Sequence, residues 1–349
     1  MNAPLTYTHD SSPEAGTATT ILPGIEWICM PLPFALNHIN LWLLADDQHP
    51  GAKPGYATVD TGIATPDVHQ AWGKLLADRQ LTRAIVTHLH PDHVGNARWL
   101  EEKTGAALWM SQGDYLTAKL INAGVSPFST TDLIDFFVRH GMGQEHAAAF
   151  EKRGNSYKNG VPSLPSSYIQ LFDNEVLRIG AHEWRTIVGY GHAAEHMSLY
   201  CEELHVLISG DMLLPRISTN ISVHPANPYA NPLKLFLDSI DKFLALPADT
   251  LVLPSHGRPF RGLHGRVAAL HQHHTERCEI LLNACKGKAH NAAEIIPALF
   301  EREFNDAHQT MFAMGEAIAH LNYLVHGGKM QRIDTNQRDD AHKTIRFIS

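Results

Sequence analysis

At 349 residues, with 44% hydrophobic and 18% charged side chains, the chain has the balance of a globular protein and is long for one domain, which predicts one large and one small unit. A formal net charge of −8 excludes a chain-wide basic surface of the kind that grips nucleic acid. The four cysteines, Cys29, Cys201, Cys278 and Cys285, form no C-x-x-C pair, so neither a disulfide framework nor a zinc knuckle is expected, and reduced, buried thiols fit a cytoplasmic protein.

Residues 1–20, rich in Thr, Ser, Ala and Pro, lack the basic start and apolar centre of a secretory signal and read as a disordered tail. No stretch has the length to span a membrane. Strand patterns follow at residues 25–30, 39–45 and 56–59, the last closing on the polar turn Asp60-Thr61-Gly62. A helix is predicted over 65–79 and a strand over 81–87, then a helix over 95–103 and a strand over 107–110. Alternating strands and helices predict a layered α/β domain. Residues 113–167 interrupt that rhythm and end in a Gly/Pro/Ser-rich stretch, so they read as an inserted, lid-like segment.

Strands return at 175–179 and 183–188, the latter running into Gly189-Tyr190-Gly191-His192. Residues 197–201 and 205–211 follow, the second closing on Asp211. A helix over 232–246 precedes the strand 250–257, which ends at His256. Four strand-like runs thus terminate in a potential ligand, and such ends commonly gather at one rim of a sheet.

The most informative run is Ile85-Val86-Thr87-His88-Leu89-His90-Pro91-Asp92-His93. Two residues apart on an extended backbone, His88 and His90 point to the same side. Pro91 cannot continue a central strand, so the chain turns and presents Asp92 and His93 from a loop. With 24 histidines and 19 aspartates, composition alone would produce H-x-H-x-D-H in under about one chain in a hundred. A cluster of nitrogen and oxygen donors of this kind suits a divalent cation, zinc first, with iron or manganese accepted by the same set.

Beyond residue 262 the pattern becomes helical, over 263–286, from Asn291 onward with Glu294 completing a capping box, and over 307–325, followed by strands at 329–333 and 343–348 around a polar turn. His271, His273 and His274 fit helical-face and solvated positions better than metal ligands, and the Met311–Met314 stripe reads as core.

The series Asp60, His88-x-His90-x-Asp92-His93, His192, Asp211, His256 resembles the five motifs of the metallo-β-lactamase superfamily, in the family's order, over residues 21–262. That resemblance implies a four-layer αβ/βα sandwich with a dinuclear centre at one edge. His88, His90 and His192 would hold one metal and Asp92, His93 and His256 the other, Asp211 would bridge them, and Asp60 would buttress the ligand loop from behind. True β-lactamases of this fold lack the bridging aspartate, and the redox-active flavodiiron relatives carry glutamate where His90 stands. Both departures point to two-metal hydrolysis, as in glyoxalase II, lactonases, thioesterases and nucleases of the superfamily. A water shared by two cations ionises near neutral pH, and the same ions polarise a carbonyl or phosphoryl oxygen. Asp92 is the candidate catalytic residue, orienting that nucleophile or carrying a proton to the leaving group.

Residues 263–349 are similar to the winged-helix unit appended to some lactamase-B-like hydrolases, including a group of endoribonucleases. From residue 257 onward there are 12 Lys/Arg against 10 Asp/Glu, net +2, a weak basic excess for gripping phosphates. A packing or dimerising role is therefore favoured over nucleic-acid binding. The expected activity is hydrolysis of a small ester-like substrate (a thioester, lactone or related acyl compound) by a metal-dependent enzyme. A metal-dependent endoribonuclease acting on single-stranded RNA is the alternative, and a metal-binding sensor without turnover a third. Arg216, His224, Tyr190 and His196 are candidate substrate contacts with equally ordinary readings as loop residues.

Overall fold

The structure is a computed structural model, and it describes residues 5–46, 53–300, 306–334 and 344–349. The chain divides into two compact units. The first comprises Met1–Asn122, Tyr157–Thr219 and Ser239–Val267, and the second Ala123–Ser156, Asn220–Asp238 and Ala268–Ser349. Among the described residues no helix is long and apolar enough to cross a membrane.

Unit 1 holds two seven-stranded sheets. One runs in the order Ala18–Leu22, Ile25–Pro31, His38–Ala45, Gly55–Val59, Gln80–Ile85, Ala107–Met110, Ile169–Gln170. The other runs Thr6–Tyr7, Phe260–Arg261, Leu251–Pro254, Val206–Gly210, His196–Cys201, His182–Gly189, Val176–Ile179. The central strands read as continuous apolar runs because both of their faces are buried. In His38–Ala45, Trp42 and Leu44 face an inner core shared with Val188, Leu199, Ile208 and Leu253 of the other sheet. Leu41 and Leu43 face a separate core with Trp72 and Leu75 of the helix Pro66–Leu75 and with Leu100 of the helix Ala97–Thr104. Trp27 pairs with Trp42 across the strands, and their rings stack 6.0 Å apart. The result is the layered α/β domain expected from the alternating elements, in the two-sheet sandwich form that the resemblance implies.

Sheet direction explains why the candidate ligands meet. Gly55–Val59, Gln80–Ile85 and Ala107–Met110 run parallel, as do Val206–Gly210 and Leu251–Pro254. Within each sheet their C-terminal ends lie on the same side, and all but Ala107–Met110 are followed within three residues by Asp60, His88, Asp211 or His256.

Three expectations need correction. Residues 5–20 are not a disordered tail: Thr6–Tyr7 pairs with Phe260–Arg261, strand structure resumes at Ala18, and the Arg258 guanidinium donates to the carbonyls of His9 and Asp10. Polar composition was misleading there because an edge strand is held by backbone pairing rather than by apolar burial. Asp92 and His93 lie not in a loop but on the one-turn helix Pro91–Val94, with Pro91 at its first position, where a missing N–H costs nothing. The segment 113–167 is not one insertion, because its two ends belong to unit 1 and Ala123–Ser156 to unit 2.

Unit 2 contains the helices Thr130–Arg139, Gln144–Arg153, Ala292–Phe300 and Ala307–His326, the body of Leu263–Ala284, and the antiparallel pair Gln331–Asp334 and Ile345–Ile348. The capping box at Asn291 is present: its side chain accepts the Glu294 N–H at 2.9 Å, and Glu294 accepts the Asn291 N–H at 3.2 Å. Met314, Ile318, Leu321 and Leu324 are core residues. The polar turn expected after Asp334 lies outside the described residues.

Candidate metal centre

Every expected ligand falls in unit 1, in two groups. Donor atoms of His88, His90, His192 and Asp211 lie within 4.8 Å of one another, as do those of Asp92, His93 and His256. His88 Nε2 is 2.8 Å from His90 Nδ1 and 3.1 Å from His192 Nε2, so three ring nitrogens converge on one point. In the second group His256 Nε2 and His93 Nε2 lie 3.3 and 3.6 Å from the Asp92 carboxylate. Asp211 faces both groups. Its Oδ2 is 3.4 Å from His192 Nε2, while its Oδ1 is 3.6 Å from His93 Nε2 and 3.5 Å from His256 Nε2.

Four of the five rings are held by their other nitrogen, which fixes the edge they turn to the centre. His93 Nδ1 donates to Asp60 at 2.8 Å and His256 Nδ1 donates to the His38 carbonyl at 2.8 Å, so both Nε2 atoms face the centre. His88 Nδ1 is 3.0 Å from the Thr87 hydroxyl, and His192 Nδ1 is 3.0 Å from the Thr219 hydroxyl. Asp60 buttresses the loop as the family motif implies, accepting the Thr87 N–H at 2.7 Å from a left-handed backbone with φ +65°.

Burial and charge prepare these groups for a cation. Burial, reinforced by neighbouring imidazoles, holds His88 well below the usual histidine range and His90 at about 3, so both are neutral lone-pair donors. Burial also pushes Asp92 upward, but His93 and His256 override it and leave the carboxyl at about 2. Asp211 is likewise held well below the ordinary range by His256 and His93 against its burial. The converse holds for His93, where Asp60, Asp92 and Asp211 overcome burial and raise it to about 10. Buried anions and a proton thus balance one another, an arrangement that a divalent ion would replace. His93 Nε2 and Asp211 Oδ1 are buried without a hydrogen-bond partner, and the nitrogen and oxygen donor set matches zinc, iron or manganese, so the residues fit such ions.

Several supporting residues escaped the sequence reading. Thr87 and Thr219 carry no signal beyond adjacency to a histidine or membership of a polar loop. Asp114 forms an S-x-x-D pattern with Ser111, which announces a helix start rather than a site. Its buried carboxylate nevertheless accepts the N–H groups of Leu89 and Glu195 at 2.9 and 2.6 Å, and burial raises it to about 6. His196, expected as a substrate contact, is buried and accepts the Asp211 N–H instead. Arg216 and Tyr190 are exposed in unit 1, the former 5.9 Å from the Tyr7 ring, and His224 belongs to unit 2.

The model of the metallo-beta-lactamase superfamily matches residues 57–256, and that of the metallo-beta-lactamase-like C-terminal domain matches residues 278–348. A crystal structure of a beta-lactamase domain protein from Burkholderia ambifaria is 41% identical, with a TM-score of 0.89, covering 99% of this chain and 98% of that one. A Bacillus subtilis protein named "Probable metallo-hydrolase YqjP" is 22% identical over 85% of this chain and 91% of its own length. A protein of Ectopseudomonas mendocina named hydroxyacylglutathione hydrolase is 25% identical over 51% of this chain and 49% of its own.

Proposed function

The chain belongs to the metallo-beta-lactamase superfamily and is a metal-dependent hydrolase, and from that premise we propose that it uses two divalent ions, zinc or in its place iron or manganese, to cleave a small acyl substrate such as a thioester or lactone. The observation that carries this reading is Asp211, whose two oxygens face the two ligand groups at 3.4 and 3.5 Å. A carboxylate between two cations offsets their repulsion.

Bound ions would supply Lewis acidity and make a water acidic enough to serve as nucleophile near neutral pH. The chain's own residues do the rest. Asp60, Thr87, Thr219 and the His38 carbonyl hold four of the imidazoles by the nitrogen that faces away from the centre, so little reorganisation accompanies the reaction. The Asp92 side chain is 19% exposed against 0–3% for His93, His192 and His256. It is more exposed than those three and is ionised, placed to take a proton from an approaching water and pass it to a leaving thiolate or alkoxide.

The acyl reading draws support from the relative named for hydroxyacylglutathione hydrolysis. An RNA substrate draws none from charge, since the chain carries −8 overall. The test is a panel of acyl thioesters and lactones offered to metal-reconstituted protein beside Asp211→Ala. Turnover lost in the variant supports the proposal. No turnover from protein carrying its metals overturns the acyl reading and directs the assay to single-stranded RNA.

A further inference from the structure

A metal site is as well ordered as the layer that holds its ligands. In unit 1 two buried carboxylates outside the ligand groups reach the ligand loops: Asp60 holds Thr87, whose hydroxyl meets both His88 and His93, while on those loops Asp114 holds only peptides beside His88, His90 and His192. Asp60 accepts from the N–H and hydroxyl of Thr87 and from His93 Nδ1. Asp114, wholly buried, accepts the Leu89 N–H on Oδ1 at 2.9 Å and the Glu195 N–H on Oδ2 at 2.6 Å. Leu89 separates His88 from His90, and Glu195 stands three residues beyond His192. One carboxylate therefore spans the two loops that present all three histidines of one group. None of its hydrogen bonds among the described residues goes to Asp92, His93 or His256.

The same junction is closed from other directions. The Gly113 N–H donates to the Glu195 carboxylate at 2.7 Å, and a Cβ at Gly113 would stand 2.8 Å from that carboxylate, too close to be accommodated without a shift. The Tyr157 hydroxyl donates to the Leu89 carbonyl at 2.6 Å, so both the N–H and the C=O of Leu89 are taken by side chains. Gly113, Asp114 and Tyr157 come from the two ends of the segment that separates the histidine motifs in sequence.

We propose that Asp114 is a positioning residue of the His88–His90–His192 metal site and sets its affinity without affecting the Asp92–His93–His256 site, whereas Asp60, through Thr87 and His93, supports both. This rests on the two-metal reading. The role requires a carboxylate, because both of its oxygens accept. Asparagine offers one acceptor and one donor, leaving an N–H facing either Leu89 or Glu195 N–H and releasing one loop.

The experiment titrates metal-free wild type, Asp114→Asn, Asp60→Asn and Tyr157→Phe with Zn(II) by calorimetry and with Co(II) by absorption. In Asp114→Asn one ion should bind about ten- to a hundredfold more weakly while the other stays within about twofold. On a His192→Ala background, which abolishes the first site, Asp114→Asn should leave the remaining ion unchanged and Asp60→Asn should weaken it. Both ions weakening together in Asp114→Asn, neither weakening, or a further loss on the His192→Ala background would each overturn the proposal. If Asp114→Asn does not fold, Tyr157→Phe loosens the same loop and is judged by the same selectivity. A wild-type stoichiometry of one would refute the two-metal reading separately. If His192→Ala abolishes binding of that one ion, Asp114→Asn must still weaken it, and an unchanged affinity would overturn the assignment of Asp114.

Discussion

The backbone N–H of Asp211 donates to Nε2 of His196 at 3.1 Å, so a histidine at the start of one strand positions Asp211 at the end of its neighbour. Gly210 makes the contact feasible. It adopts φ +53°, and a Cβ there would collide with the His196 ring. Burial holds His196 well below the usual histidine range, which keeps Nε2 an acceptor. His196→Phe keeps a ring in place and leaves the Asp211 N–H unpaired, with an expected stability loss of about 1–3 kcal/mol. Chemical denaturation of the metal-free protein measures it, and an unchanged midpoint would refute the role.

Thr219→Val preserves shape and removes the hydroxyl 3.0 Å from His192 Nδ1. The expected result is a loss of metal affinity of about tenfold or more with little change in metal-free stability. Competition against a chromogenic chelator reads the first quantity and thermal melting the second. Equal affinities would show that His192 is oriented without Thr219.

Chelation should lower the melting temperature. An ion that binds only the folded protein stabilises it by about 2.7 kcal/mol at a free concentration one hundred times its dissociation constant. Calorimetric scans with and without a chelator test this, and Asp211→Ala, which removes a candidate ligand, should show a smaller difference. Identical scans for wild type would contradict a site that binds metal in the folded state alone.

Unit 2 predicts an acid sensitivity of its own. Burial lowers His140 to about 4, His320 to about 4 and His274 to about 2, the last helped by His320 and His273. His320 Nδ1 donates to the Glu316 carbonyl, so its Nε2 accepts from His274 Nδ1 at 3.1 Å, a neutral pair. These folded pKa values lie below the unfolded value near 6.5, so the folded state binds fewer protons. The stabilisation is complete above about pH 6.5 and is lost as pH falls below it, down to the folded values, at up to about 1.4 kcal/mol per pH unit for each group. Melting of metal-free protein between pH 7.5 and 5 should therefore fall less steeply in His274→Leu than in the parent, and parallel slopes would sink the assignment.

Much of the candidate site is legible in the chain because its chemistry is local. His88, His90, Asp92 and His93 sit in six consecutive residues, and His192, Asp211 and His256 each close an apolar run, so spacing and strand ends reveal them without a fold. The supporting layer is not legible in this way. Thr219 meets a histidine 27 residues away, Asp114 reaches a peptide 81 residues away, and the His38 carbonyl meets a ring 218 residues away. Each is an ordinary residue in an ordinary local pattern until the sheets bring it to the ligands.

The same division governs the architecture. Runs with a period of two or 3.6 are set by which face of an element must leave water, so strands, helices and the layered α/β class follow from the order of side chains alone. Which segments share a compact unit depends on contacts between residues distant in the chain. The tail that pairs through Thr6–Tyr7 and the interrupting segment that gives its middle to unit 2 carry no periodic signature of those contacts. The ligand motifs were therefore written in the sequence. The carboxylate of Asp114, which ties the Leu89 and Glu195 peptides together, was decided by tertiary structure, because backbone hydrogen bonds between loops have no sequence period to reveal them.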